Sequence, residues 1–556
     1  MELTFSKQSP ILGRLVVFCA LLFLLKLWLL VPFEVIARTA PHDDTLFISQ
    51  ALSILNGQWL GDYDQFTLMK SAGYPLFIAV SNLLGLSLLF SQQLLYASAC
   101  MVFVLVAAPF TRSIILLMIV YTLLLFNPFT YGFFPNAYPF RFSIYPAVSL
   151  FCFSLFLLLS TRLTVSRGRY LIPALCLGFM LGWFWHIRGE GIWIVPSFAI
   201  IALYVVVYNW FIRDNIRRTQ ALVSGTAVLM MFLLWGLSLS TLNWSKYGVF
   251  VHNELKSNEF QSAYGGLLRI KTNRWERYIP VNKEARESAY RVSPAFNRLR
   301  QYFEHGRGTE TWMKGMSDYP AAYFPWAFRD ATYDAGFYRE ARSTLDFFRR
   351  IGREIDDACK TGKLACRPRY TNLAPTWHFE WNELVPPIIL TTLKRMIKFK
   401  GYVFEGPRHG SQNDDKLVTN YKYVSLSAVR PTDNGLHRVP AFHKNRISRS
   451  QSVILTINWF YRRAPQVCFV LALFGFGWRS VKSIQSRRVN VWDIFSLSIL
   501  VGLFSYASVL TVVQVTSYSE IGRQLHTTYP LVLLFIISVV FSFFNSSSRK
   551  DVSSKE

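Results

Sequence analysis

Residues 15–31 read LVVFCALLFLLKLWLLV. A run this long and this apolar can cross the hydrocarbon core of a bilayer as a helix. No small-residue cleavage site follows it, so it reads as a retained span and not as a removable signal. Outward from it, the pattern recurs. Spans are expected at roughly 14–36, 87–109, 113–127, 140–160, 170–187, 191–211, 220–243, 464–480, 491–515 and 527–545. This predicts an all-α polytopic membrane protein of about ten transmembrane helices. The composition agrees: 52% of the 556 residues are apolar and 17% charged, and 47 Phe with 16 Trp suit a lipid-facing chain with aromatic belts. The low hydrophobicity and dense charge of disordered or nucleic-acid-binding tails are missing, so nucleic acid is not an expected partner.

The short linkers set the orientation. Arg112, Arg162/Arg167/Arg169, Arg213/Arg217/Arg218, Arg479/Lys482/Arg487/Arg488 and Arg549/Lys550 all fall on one side, with Lys7 and Arg14. Positive charge in short loops stays cytoplasmic. The segment GYPLFIAVSNLL, 73–84, is too short to span, and counting it as a span would put the 162–169 linker outside. It is therefore expected to lie on the outer surface. Three regions follow: a transmembrane core, 1–243, with a first external loop, 37–86; a mainly helical external domain, 244–451, between spans seven and eight; and C-terminal transmembrane helices, 452–556. No internal repeat and no matching pair of broken helices points to a transporter.

The net charge is +26, and more than half of the Lys and Arg lie in the external domain. That suggests anionic partners such as lipid phosphates, lipopolysaccharide or acidic glycans, or else a basic face seeking an anionic membrane. Within the domain, 333–359 is patterned as one amphipathic helix ending at Gly362, and 282–304 as two pieces hinged at Pro294. Residues 388–400, IILTTLKRMIKFK, read as a helix lying on a membrane. Thr376 to Trp381 reads as aromatic core, with a sugar-stacking surface as the alternative. Five cysteines lie within predicted spans, as small apolar fillers. Cys359 and Cys366 remain, as CKTGKLAC, and read as a disulfide in an oxidising compartment or as two free thiols; no ligand set for zinc is near.

The chemistry-bearing residues open the first external loop: Pro41-His42-Asp43-Asp44-Thr45-Leu46-Phe47. Two adjacent carboxylates stand at the mouth of the bundle, followed by a short amphipathic helix at 48–56, then Lys70, then the surface segment from Gly73. This order resembles the first external loop of the GT-C glycosyltransferases, integral membrane enzymes that take a sugar from a polyprenyl-phosphate carrier. HDDTLF resembles the acidic motif of the arabinosyl- and mannosyltransferase branch, and MKSAGYPLF its Lys-containing segment. The resemblance covers roughly the first 250 residues. It implies that Asp43 is the general base, with Asp44 beside it, that His42 touches substrate, and that Lys70 holds the donor phosphate. It also implies a polyprenyl-phosphate sugar as donor, membrane lipids as surroundings, and a glycan, lipid or protein acceptor on the outer face of a cytoplasmic membrane, with inversion at the anomeric carbon. The sparse Asn-x-Ser/Thr sequons lean toward a bacterial source.

That chemistry needs these residue types. The acceptor hydroxyl loses its proton as it attacks, so a carboxylate must be within reach. The transition state resembles an oxocarbenium ion. The leaving phosphate needs cations and no protonating acid. Further cations are Arg188, in WHIRGEGIW (185–193) with His186 and Glu190, and Arg523, in SEIGR (519–523). Ionisable groups so close to hydrocarbon point to function; an Arg188–Glu190 pair closing a turn, and a snorkelling Arg523, are the plainer readings. The Arg523 segment resembles the family's Glu/Ser-Arg-Tyr-Leu-x-Pro run, with Gln524-Leu525-His526 in place of Tyr-Leu. Arg462 and Arg463 read as interfacial anchors. The acidic pair could hold one hard cation, Mg or Mn, though no further carboxylate is near it in sequence. Two other classes compete: an O-antigen ligase or polymerase, relying on His186, Arg188 and Arg523, and a lipid or solute transporter without chemistry.

Overall fold

The computed structural model describes residues 9–547, apart from 112, 133–135, 165–168, 212–213, 370–372, 376, 401–409, 432–440, 487–488 and 519–520. Among the described residues the chain is helical, with β-bridges only as isolated pairs. The first part comprises α1 (Ser9–Leu30), α2 (Asp44–Leu55), α3 (Gly73–Leu83), α4 (Leu88–Ala107), α5 (Ile114–Leu125), α6 (Tyr145–Thr164), α7 (Leu171–Ile187), α8 (Ile194–Phe211) and α9 (Asn215–Tyr247). Eight helical stretches of the described chain are long and apolar enough to cross a membrane, and α5 and α7 are shorter apolar helices at two further predicted spans. In α1, Leu15, Cys19, Lys26 and Leu29 turn into the bundle while Val16, Val17, Leu21 and Leu24 face outward. An outward face of large aliphatic residues suits lipid. Lys26 is wholly buried and donates to the carbonyl of Leu125, 2.8 Å away.

Helix α3 has eleven residues, a length of about 16 Å, which cannot cross a bilayer. It packs against α2, α4 and α7. Its first residue lies against the end of α7: a β-carbon on Gly73 would come within 2.6 Å of the His186 carbonyl oxygen. Trp183 Nε1 of α7 donates to the carbonyl of Gly73 at 2.9 Å. The side chain's absence thus lets the segment that follows Lys70 press onto α7.

The second part starts with α10 (Asn258–Leu268) and α11 (Lys283–Val292). Three short helices follow, α12 (Pro294–Asn297), α13 (Arg300–His305) and α14 (Arg307–Trp312), and then α15 (Phe324–Asp334) and α16 (Ala341–Lys360). These enclose their own aromatic core around Phe260, Phe296, Phe303, Phe328 and Phe348. Helices α10 and α16 cross closely where Gly266 meets Ile355 and Gly352 meets Ser262. The single helix expected over 333–359 is broken at Gly336, whose φ of 80° ends α15, so α16 begins only at Ala341. Cys359 and Cys366 are joined by a disulfide at the end of α16.

The rest comprises α17 (Glu380–Ile397), α18 (Asp415–Ser425), α19 (Ala441–Tyr461), α20 (Ala464–Ser486), α21 (Val491–Thr516) and α22 (Tyr529–Ser547). One expectation changes here. Helix α17, read as lying on a membrane, instead packs along α21, with Thr392 and Met396 buried. An apolar stripe asks for cover, and the neighbouring span supplies it. The helix that lies across the bundle end is α19. Ser450 Oγ donates to the carbonyl of Leu29 at 2.8 Å, and Tyr461 OH to that of Leu123 at 2.6 Å. It therefore crosses the C-terminal ends of α1 and α5, and it leaves Val453, Leu455, Trp459 and Phe460 exposed. Met396, Phe399, Val418, Tyr421 and Val424 all join the core of the bundle.

Candidate active site

The acidic pair stands where α2 begins. Asp43 precedes the helix and Asp44 is its first residue, so the two carboxylates diverge. Asp44 is wholly buried and ion-paired with Arg38, whose guanidinium also lies over the Tyr138 ring, 3.8 Å from its centroid. Its Oδ1 is buried without a hydrogen-bond partner. Burial pushes the Asp44 carboxyl up to about 6, with Arg38 opposing. The Asp43 side chain is 40% exposed and ion-paired with Lys70, which is 8% exposed and also donates to the carbonyl oxygen of His42. Burial, then Arg141, pushes the Lys70 ammonium down to about 8 against the pull of Asp43.

Arg141 is the residue that sequence reading missed. It opens a short turn, Arg141–Ser143, before α6. Its guanidinium carbon lies 5.5 Å from the centre of the Phe47 ring, and Lys70 Nζ lies 5.3 Å from the same centre. Both cations thus lie against one phenyl ring. Arg141 Nη1 donates to the carbonyl of Ile187 at 3.2 Å, while its Nε is buried and unpartnered. The next residue but none after Ile187 is Arg188, 6% exposed, which holds Glu190 through two bonds of 3.1 and 2.9 Å. Its guanidinium stacks over Phe142, 3.7 Å from the ring centre, and its Nη1 is buried without an acceptor. The Arg188–Glu190 pair expected from sequence is present, and it still leaves donors unspent. A signal for Arg141 existed: an Arg at the start of an expected span, apart from the clustered basic linkers.

The other nominated residues are placed as follows. His42 sits among Phe66, Trp312 and Trp326, with ring centroids 5.1, 5.1 and 6.0 Å away, so aromatics from α14 and α15 help to cover this side of the site. Burial, then Lys70 and Arg329, pushes its imidazole down to about 4, which keeps it neutral at physiological pH. His186 turns from Lys70 toward Ser71 Oγ, 2.9 Å from its Nδ1, and meets His252 edge-on at 4.8 Å. Arg523 is exposed, on a turn, Gly522–Thr528, that packs beside the turn carrying Arg141. Arg463 lies over Trp459, 4.6 Å from the ring centre.

The strand of chain leading to Lys70 is tied to the external domain. The Glu254 amide donates to the Leu68 carbonyl at 2.9 Å, and Asn253 Nδ2 to that of Met69 at 3.3 Å. The Glu254 carboxylate in turn accepts from Arg329 at 2.7 Å, from Tyr63 at 3.2 Å and from Tyr338. A buried charge with this many partners is held in one place.

Chemically, the arrangement sets three cationic side chains beside an accessible carboxylate. Lys70, Arg141 and Arg188 carry three positive charges, and Asp43 and Glu190 return two. Arg141 Nε and Arg188 Nη1 are buried donors with no acceptor among the described residues, and such groups call for a ligand with oxygen lone pairs. A divalent cation fits less well. Each aspartate already holds a cationic side chain, and among the described residues no three metal-ligating groups gather.

No family model matches the sequence, and no curated protein matches it. Two solved structures each align with 93% of this chain and 77% of their own: ArnT from Cupriavidus metallidurans bound to undecaprenyl phosphate, at 14% identity and a TM-score of 0.31, and ArnT from Cupriavidus metallidurans in the apo state, at 13% and 0.29.

Proposed function

We propose that this chain is an inverting GT-C-type glycosyltransferase that moves a sugar from a polyprenyl-phosphate carrier to an acceptor at the outer face of a cytoplasmic membrane. The observation that carries this reading is the pair of unpartnered, buried guanidinium donors on Arg141 and Arg188 beside Lys70 and the exposed Asp43. The order of the first-loop motifs supports it: span, acidic pair, Lys70, surface helix.

In this mechanism the donor phosphate takes the place between Lys70, Arg141 and Arg188, with Arg523 approaching from the adjacent turn. An acceptor hydroxyl attacks the anomeric carbon from the side opposite the phosphate. Its proton passes to Asp43, and the bond from the anomeric carbon to the phosphate oxygen breaks with its electron pair going to the phosphate. Asp43 is reachable from outside, as a base for an incoming acceptor must be. The cations offset charge growing on the leaving oxygen in a site poor in water. Neutral His42 and the aromatics around it exclude solvent on one side.

The test uses purified full-length protein in lipid nanodiscs, radiolabelled polyprenyl-phosphate sugars and membrane extract as acceptor source. Label moves to a new product with the wild type, and Asp43→Asn lowers the rate by about 10²–10⁴-fold with normal insertion. Label that stays on the carrier throughout, or equal rates in wild type and Asp43→Asn, overturns the proposal.

A further inference from the structure

A groove remains on the external domain, away from the acidic pair. It is formed by the loop before α11 and the start of α17, above the outer end of α21, with Thr516 at its floor. Trp275 and Trp381 line it, with Arg274, Glu276 and Arg367. The Trp275 indole is stacked on the His378 ring at 3.9 Å and 7°, which locks its orientation. Trp381 is 2% exposed, and its Nε1–H has no acceptor among the described residues. A buried indole N–H in that state awaits an oxygen. Arg274 reaches Glu276 at 3.8 Å, whereas the Arg367 guanidinium has no ion-pair partner among the described residues. The groove therefore combines fixed aromatic surface, a spare donor and one uncompensated positive charge.

From these features we infer that the groove binds a carbohydrate bearing a carboxylate. The C–H faces of a sugar ring pack on an indole, its hydroxyl oxygens accept from Trp381 Nε1, and its carboxylate meets Arg367. An aliphatic ligand would leave the donors unspent, and a free anion would not use the indoles. The site sits at the membrane surface, because Thr516 ends a spanning helix and Tyr278 of the same loop contacts Tyr518 edge-on at 6.0 Å. It thus lies within reach of glycans at the bilayer. Binding here does not depend on the transferase reading.

The experiment measures binding of galacturonate and glucuronate trisaccharides, with neutral maltotriose as comparison, to the full-length protein in nanodiscs. Tryptophan fluorescence and saturation-transfer NMR give two readouts. At least one acidic trisaccharide binds at millimolar concentration or below, more tightly than maltotriose. Trp275→Ala and Arg367→Gln each weaken binding by about tenfold, the effect expected for losing an aromatic platform or a charge-assisted hydrogen bond. Arg367→Gln changes a partly exposed side chain, so it tests the groove even if Trp275→Ala misfolds. Asp43→Asn binds as the wild type does, which separates this site from the catalytic one. No binding of either acidic probe, equal binding of maltotriose, or unchanged affinity in Arg367→Gln overturns the inference.

Discussion

Raising the pH should release the donor while leaving the fold firmer at Lys70. The Lys70 ammonium is pushed down to about 8, first by burial and then by Arg141. With that midpoint, the protonated fraction falls from about 0.9 at pH 7 to about 0.1 at pH 9. If the charged form alone engages the phosphate, donor affinity falls about tenfold over this interval, or about 1.4 kcal/mol. The donor, a phosphodiester, keeps one negative charge throughout, so the change belongs to the protein. Stability moves the other way. Between about 8 and 10.5 the unfolded chain binds this proton more readily than the folded chain, so this group's contribution to stability rises with pH. Weaker binding therefore cannot be traced to unfolding at this residue. The assay is equilibrium binding of a polyprenyl-phosphate sugar from pH 7 to pH 9, with thermal unfolding followed in parallel. Lys70→Arg keeps its charge over the whole interval and should flatten the profile. A wild-type affinity that is flat, or an equal fall in Lys70→Arg, would refute the reasoning.

Asp44→Asn should leave the melting temperature at pH 7 unchanged or higher while slowing transfer. Relative to the unfolded chain, the site disfavours the charged carboxylate by roughly 2–3 kcal/mol. By the same shift, wild-type stability relative to Asp44→Asn should decline as pH rises from about 4 through about 6; a decline toward acid instead would contradict it. Arg141→Met should weaken donor binding by about 10–100-fold, the range for a lost hydrogen bond to a charged group, and unchanged affinity would remove Arg141 from the phosphate site. A double Cys359→Ala/Cys366→Ala variant should lower the unfolding free energy of the external part by about 2.5 kcal/mol for so short a loop, and an unaltered denaturation midpoint would contradict that.

The helices able to cross a membrane were readable because hydrocarbon demands long apolar helices, and those leave an unmistakable pattern. The half-turns between spans were harder. Arg141 fell inside an expected span whose start is blurred by PNAYPFRFSIYP, so its charge was absorbed into a boundary. Arg38 and Asp44 pair across a helix start that propensity alone does not orient. Periodicity showed that 388–400 has an apolar side, yet it could not say whether lipid or α21 covers it. The aromatic stretch expected as core is divided: Trp381 is buried, whereas Trp377 and Phe379 are 49% and 73% exposed, and Thr376 lies outside the described residues. A composition rich in rings does not reveal which rings lie at an edge. Pairings between remote positions, such as His186 with His252, carry no local signature at all.

Lys26 bears on how the protein is made. Its ammonium is satisfied by the Leu125 carbonyl, 99 positions later in the chain. At a synthesis rate of about 5–20 residues per second, that acceptor emerges roughly 5–20 s after the lysine does. Throughout the wait, a helix entering the bilayer carries a charge whose insertion costs up to about 3 kcal/mol near the midplane. Helix α1 must meanwhile ride high, with the amine among headgroups, or stay beside the insertion machinery until α5 arrives. Assembly of the bundle is thereby given an order in time, in which the fifth helix releases the first.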